Sequence, residues 1–120
     1  MTKISMEAKR FVQEMAHLAE VTEEVRSVLL RYTKISRQLV RRVNEGEPLV
    51  EALESLHGPL RRREVTEATQ ELEAARHRVR LAMFALGKAE GATASELGRQ
   101  LGFSRQLASR LTQEAEETSS

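Results

Sequence analysis

Residues 92–115 read ATASELGRQLGFSRQLASRLTQEA, a stretch that predicts two short helices joined near Gly102. Thr93 and Glu96 have the spacing of a capping box, in which the two side chains satisfy free backbone amides at a helix start. Gly102 can take the left-handed conformation that ends the first helix, and Ser104 can cap the second. The residues that the second helix then presents outward are Arg105, Gln106, Ser109 and Arg110.

The composition of the 120-residue chain favours an all-α protein. Charged residues make up 31%, whereas glycine and proline contribute only six and two residues. The absence of cysteine excludes a disulfide framework and is typical of a reducing cytoplasm. We find neither the apolar core of a signal peptide nor a run of roughly twenty apolar residues, so we expect no membrane partner. The net charge of +1 means that any binding of nucleic acid depends on where the positive charges lie.

The N-terminal third carries apolar residues at a seven-residue repeat, in one series from Ile4 and a second from Ala8. These series occupy the two seam positions of a coiled coil, in a segment without proline or glycine. We expect one long helix to about Val43, roughly 60 Å in length, which its own chain cannot cover completely. A second subunit is therefore expected on the seam, as a homodimer. The predicted dimerisation residues are Ile4, Phe11, Met15, Leu18, Val25, Leu29, Tyr32 and Leu39.

Two positions of the second series are polar, Thr22 and Ser36. They are either tolerated residues on a loose seam or residues that specify the register or the partner. The sequence leaves both interpretations open.

Two turns are predicted after the long helix. Gly46 is expected in the left-handed position that ends it, and a short helix follows over residues 47–56. Gly58-Pro59 likewise predicts that the short helix ends at a left-handed glycine and that a third helix follows over residues 60–88. On that helix, large residues (Val65, Leu72, Val79, Leu86) alternate with alanines (Ala68, Ala75, Ala82, Ala89). This pattern lets the first helix approach closely, and we expect the two to pack antiparallel.

The end of the third helix can serve as a scaffold for the two C-terminal helices. Met83, Phe84 and Leu86 are available to cover a core formed by Leu97, Leu101, Phe103, Ala108 and Leu111. The sequence thus predicts a helical dimerisation module over residues 1–75, a three-helix unit over 76–117 and a polar tail over 118–120. The acidic residues 114–120 are expected to fray.

The run from Leu101 to Leu111 resembles the turn and recognition helix of bacterial helix-turn-helix transcription regulators. The match covers about twenty residues, or about forty with the scaffold helix, and includes a small residue at Gly98 and a turn glycine at Gly102. The resemblance implies binding of double-stranded DNA. Many such regulators carry a β-hairpin wing after the recognition helix, whereas only a few polar residues follow here. The resemblance therefore implies the wingless, three-helix form.

An α-helix fits the major groove, where residues near its start reach base edges. Arg105 and Arg110 suit guanine edges or phosphates, Gln106 suits adenine, and the serines suit phosphate oxygens. The candidate DNA-binding residues are Thr93, Ser104, Arg105, Gln106, Ser109, Arg110 and Gln113. The candidate phosphate contacts outside this set are Arg76, Arg78, Arg80, Lys88 and Arg99. Further basic clusters, at residues 31–42 and 61–63, are interpreted as solvated helix faces.

An enzymatic function finds little support in the residues. The three histidines, His17, His57 and His77, lack the spacing of metal ligands and are interpreted as surface or boundary residues. No glycine-rich phosphate loop or nucleophile motif is present, so we expect no metal and no cofactor.

Three functions stay open at this point. The first is a sequence-specific, homodimeric transcription regulator, located in the cytoplasm with the nucleoid. The second is a coiled-coil adaptor that binds another protein through its long helices. The third is an architectural nucleoid protein with little sequence preference.

Overall fold

The structure, a computed structural model, gives the backbone of residues 4–119 and the side chains of residues 4–118. The part of the chain that it describes is all-α, with five helices and no strand, as predicted. The helices are α1 (Met6–Asn44), α2 (Leu49–Ser55), α3 (Gly58–Ala89), α4 (Ala94–Leu101) and α5 (Arg105–Ser119). The apolar repeats and the turn residues therefore place all five helices close to their observed positions.

The chain forms two compact units. One contains Met1–Ala19 and Ala74–Ser120, and the other is Glu20–Glu73. α1 and α3 each contribute to both units, whereas α2 belongs to the second and α4 and α5 to the first.

In the Glu20–Glu73 unit, α1 turns one face towards the rest of its own chain. Val21 and Val25 are buried on that face, and Val25 shares a groove with Ala68 of α3. At the other end, the guanidinium of Arg42 donates a hydrogen bond of 2.6 Å to Ser55 Oγ, where α2 ends. α3 therefore runs back along α1 in this unit, which is the antiparallel packing expected if the short helix α2 serves as the connection.

The two interhelical turns use different residues in the left-handed region. Gly46 has φ = 94° after α1, as predicted. In the second turn the prediction is wrong, because His57 has φ = 57° and Gly58 is the first residue of α3. A Cβ at Gly58 would lie 3.5 Å from the carbonyl oxygen of Leu53, an ordinary contact distance, so packing against α2 does not require a glycine at this position.

The acidic C-terminal segment is also more regular than its composition indicates. α5 continues to Ser119, so the expected fraying from residue 114 is not seen. Glu114 and Glu116 both contact basic side chains of α3, which gives this end of α5 a tertiary anchor. These contacts join residues 37 and 28 positions apart, beyond the reach of a local pattern.

Candidate nucleic-acid interface

α4 and α5 rest on the last turns of α3 through a small apolar core. Its buried members are Leu81, Phe84, Ala108, Leu111 and Ala115. The rings of Phe84 and Phe103 stack with centroids 6.4 Å apart and an interplanar angle of 7°. Since Phe103 lies between α4 and α5, this stack fixes the connection between the two helices against α3.

Two glycines allow the helices to approach closely. A Cβ at Gly98 of α4 would lie 3.0 Å from the Cβ of Ala108 of α5. A Cβ at Gly87 of α3 would lie 2.4 Å from Leu97 Cδ1. The small residue predicted at Gly98 is thus explained by the α4–α5 contact, whereas Gly87 provides an α3–α4 contact that the sequence pattern did not reveal.

Local hydrogen bonds set the start and end of these helices. Thr93 Oγ1 accepts a bond of 3.1 Å from the amide of Glu96, as the predicted capping box requires. α4 ends at Gly102, which has φ = 73° and ψ = 26°. The amide of Phe103 then donates to the carbonyl of Gly98 at 2.8 Å, and that of Gly102 to the carbonyl of Arg99 at 3.4 Å. This pair of bonds is a Schellman motif, which reverses the chain in few residues.

Ser104 caps the start of α5, with its Oγ accepting a bond of 3.1 Å from the amide of Leu107. We expect Ser104→Ala to lower the free energy of unfolding by about 1 kcal/mol, since the amide loses its partner. Urea unfolding followed by circular dichroism measures the change. Ser109→Ala is the matched control, because Ser109 is exposed within the same helix and should change stability by less than about 0.5 kcal/mol. Equal effects of the two substitutions would contradict the capping role.

Two polar contacts between side chains further anchor α5 on α3. His77 Nε2 lies 2.8 Å from Glu114 Oε1, and the ammonium of Lys88 contacts the carboxylate of Glu116. The interpretation of His77 as a surface or boundary histidine is thereby refined, since it is half-buried and joins two helices.

The predicted phosphate contacts on α3 are largely engaged within the chain. Arg78 Nε donates to Glu14 Oε2 of α1 at 3.1 Å, and Lys88 pairs with Glu116. Arg76 and Arg80 also interact with other groups of the chain. Arg99, on α4, is exposed. Arg99 therefore differs from the four basic residues of α3, all of which interact with other groups of the chain.

The predicted DNA-binding residues form an exposed set on α5 and at the helix starts. All of them are exposed, namely Thr93, Ser104, Arg105, Gln106, Ser109, Arg110 and Gln113. On the opposite side of α5, Ala108 and Leu111 retain only 1% and 2% exposure. α5 thus has one face in the core and one polar face that meets solvent.

A shallow groove between α4 and α5 brings three of the candidate residues together. It is lined by Arg99, Ser104 and Arg105, with Gly98 and Phe103 among its other residues. Two guanidinium groups, a hydroxyl and the start of α5 at one groove favour an anion such as a phosphate. Arg110 and Gln113 lie further along α5 and do not line this groove.

The predicted dimerisation residues differ in exposure. Val25 is buried within the single chain, and Phe11, Leu18 and Leu39 are half-buried. Ile4, Met15, Leu29 and Tyr32 are exposed. Most residues of the series that starts at Ile4 are therefore at least half-buried within the single chain. Val21 and Val28, which are buried and half-buried, lie on the same face of α1.

Two other kinds of site, a metal site and a membrane-spanning helix, are absent from the described residues. Between residues 4 and 119, no three histidine, aspartate or glutamate side chains are grouped so as to hold a metal ion. None of the helices in that range is both long enough and apolar enough to cross a membrane. Comparison of the chain with protein-family models, with curated proteins and with solved structures finds no match, so its own residues must carry the case for a function.

Proposed function

We propose that this chain is a sequence-specific regulator of transcription that binds double-stranded DNA as a homodimer, with α4 and α5 as a helix-turn-helix and α5 as its recognition helix. The observation that carries the proposal is the two-sided character of α5. Its inner face is packed on Phe84, while the predicted base-reading residues Arg105, Gln106 and Arg110 are all exposed. A helix of this kind can enter the major groove without giving up its core.

The groove lined by Arg99, Ser104 and Arg105 supplies the backbone contact in this proposal. The hydroxyl of Ser104 accepts a bond from the Leu107 amide and can still donate its own proton to a phosphate oxygen. The start of α5 adds the favourable end of the helix dipole. One phosphate held here would position α5, and residues further along the helix would read the bases.

Two copies are needed in this proposal because one recognition unit carries little charge. Residues 92–115 contain three arginines and two glutamates, a weak electrostatic attraction for DNA. The basic residues of α3 contribute less attraction for DNA than their number indicates, because Arg78 and Lys88 already pair with carboxylates. Joining two weak units raises the overall affinity through effective concentration. A regulator of this kind would work in the cytoplasm at the nucleoid.

A coiled-coil adaptor that binds another protein through its long helices is the second candidate, favoured by exposed apolar side chains of α1. Leu30 and Val40 are both 61% exposed. Exposed apolar residues of this kind are typical of surfaces that bind proteins, provided that they are contiguous. In that case α4 and α5 would dock a protein in place of DNA.

Selection of bound sequences from a random DNA pool tests the proposed function directly. We expect enrichment of a two-fold symmetric site whose half-sites are separated by about 34 Å, one turn of DNA, or a multiple of it. The enriched site should compete better than random DNA at every salt concentration tested.

The other outcomes of the selection favour other functions. Binding without enrichment, which weakens steeply with salt for all sequences alike, would indicate an architectural nucleoid protein. No binding to any DNA at low salt would leave the adaptor as the better explanation.

A further inference from the structure

α1 carries a heptad pattern on a face that its own chain leaves exposed. The pattern combines part of the series that starts at Ala8 with a further series at Arg26, Thr33 and Val40. In the Glu20–Glu73 unit, this repeat alternates steps of four and three residues, the spacing of a coiled-coil seam. All of its members are exposed, and only one is charged; they are Thr22, Arg26, Leu29, Thr33, Ser36, Val40 and Val43. We name this set the outer seam.

The outer seam is distinct from the face that α1 packs against its own unit. That inner face contains the buried Val21 and Val25 and the half-buried Val28. On the outer seam, Leu29 and Val40 are 44% and 61% exposed. The adjoining Leu30 is 61% exposed. Exposed apolar residues at heptad spacing on one face of a helix are typical of a surface that pairs with another helix.

A shallow groove marks the same surface. It lies along one side of α1 and is lined by Tyr32, Thr33, Ser36, Arg37 and Val40. Thr33 Oγ1 and Ser36 Oγ donate to carbonyls of α1 itself, those of Leu29 and Tyr32, at 3.0 and 2.8 Å. Because the hydroxyl protons are used within the helix, these two seam residues present mainly carbon to a neighbour. The polar residues of the outer seam are therefore compatible with close packing of a second helix.

Charge along α1 identifies the partner and its direction. Residues 20–30 contain three glutamates and one arginine, whereas residues 31–43 contain five basic residues and no acidic one. Two copies of α1 side by side in a parallel arrangement would place basic half against basic half. An antiparallel arrangement places each acidic half against the basic half of the other copy. The chain is thus complementary to itself in one direction only.

Single residues show the same complementarity. Glu23 and Arg37 are both exposed, and each lies seven residues from Leu30, about 10.5 Å along the helix. A two-fold axis near Leu30 would place Glu23 of each copy opposite Arg37 of the other. Glu23 has only a weak partner in its own chain, since Arg26 Nη1 lies 3.7 Å from Glu23 Oε2 and both side chains are at least 70% exposed.

We propose that a second copy of this chain docks on the outer seam, with the two α1 helices antiparallel and a two-fold axis near Leu30. The inference rests on the homodimer of the proposed function and gives it a surface and a direction. It differs from the dimer predicted by sequence, because Val25 is buried and Leu39 half-buried within the chain, and Thr33 and Val40 take their place beside the series that starts at Ala8. DNA binding is not needed for this pairing.

Charge reversal tests the direction in the full-length protein without DNA. Glu23→Arg and Arg37→Glu should each weaken self-association, measured by analytical ultracentrifugation, by roughly ten-fold, since each converts two attractive pairs into repulsive ones. The double variant Glu23→Arg with Arg37→Glu should restore the dimerisation constant of the original chain. Arg62→Glu, an equal change of charge at an exposed residue of α3, should leave it unchanged. Failure of the double variant to recover, or a monomeric original chain at micromolar concentration, would overturn the proposal.

Cysteine cross-linking provides a second test, because the chain has no cysteine of its own. Leu30→Cys should form a disulfide with itself under mild oxidation. Glu23→Cys should cross-link with Arg37→Cys when the two variants are mixed, and with itself only weakly. Self-cross-linking of both Glu23→Cys and Arg37→Cys would instead show a parallel dimer. Since neither test contains DNA, loss of DNA binding would overturn the regulator and leave the pairing intact. A monomer that still binds DNA would overturn the pairing and the homodimer of the proposed function, but not DNA recognition by α5.

Discussion

Phe84→Ala should lower the free energy of unfolding by about 3–5 kcal/mol, the largest effect on stability that we expect. The ring is 1% exposed, stacks on Phe103 and contacts the core formed by Ala108 and Leu111. Its removal leaves a cavity at the point where α4 and α5 meet α3. Because a domain is stable by only about 5–15 kcal/mol, the loss should be visible as a lower urea midpoint by circular dichroism.

Hydrogen exchange can localise this effect. The amides of α4 and α5 should lose protection in Phe84→Ala, since both helices depend on the ring for their position. Phe84→Leu serves as the matched control, because it keeps an apolar side chain of similar size and should cost less than about 1.5 kcal/mol. Unfolding of Phe84→Ala within 1 kcal/mol of the original chain would show that the ring does not hold the C-terminal helices.

Removal of Arg105 and Arg110 together should give the largest effect on function. In the proposed complex each guanidinium contacts a guanine edge or a phosphate, and each such contact contributes roughly 1–3 kcal/mol. We therefore expect Arg105→Ala with Arg110→Ala to weaken binding to the selected site by at least about 30-fold. Fluorescence anisotropy with the selected duplex measures this change. Both residues are exposed, so the fold should be unaffected.

The matched control removes the same charge elsewhere. Arg62→Ala with Arg63→Ala also deletes two exposed arginines, but from the part of α3 in the Glu20–Glu73 unit. Its affinity should change by less than about three-fold, because net charge alone acts weakly at physiological salt. Equal losses in the two double variants would indicate that α5 is not the recognition helix and that binding follows overall charge.

The local signals of residues 92–115 were sufficient to predict their structure in detail. The cap at Thr93, the left-handed Gly102 and the cap at Ser104 all agree with the observed geometry. These features depend on residues three to five positions apart, so they can be seen in the sequence alone. The second interhelical turn shows the limit of such reasoning. Gly58 was expected to take the left-handed conformation, but the residue that takes it is His57. The left-handed residue lies one position earlier than expected, because Gly58 already belongs to α3.

Contacts between residues far apart in the chain could not be predicted in this way. The sequence shows that Arg78 and Lys88 are basic but not that Glu14 and Glu116 pair with them. These partners are 64 and 28 residues away, at positions fixed only when the helices pack. As a consequence, two candidate phosphate contacts are engaged within the chain, whereas Arg99 and Arg105 share an open groove.

The sequence by itself determined that the chain is all-α, the approximate positions of its five helices, and the caps at Thr93 and Ser104. Periodicity and caps suffice for this, since they act within a few residues. Only the tertiary structure decided which face of α1 is covered. The apolar residues of that helix form overlapping seven-residue repeats. The sequence of α1 alone cannot show which of these repeats packs against α3. Val21 and Val25 are buried, whereas the outer seam lies on another face of the helix and is exposed.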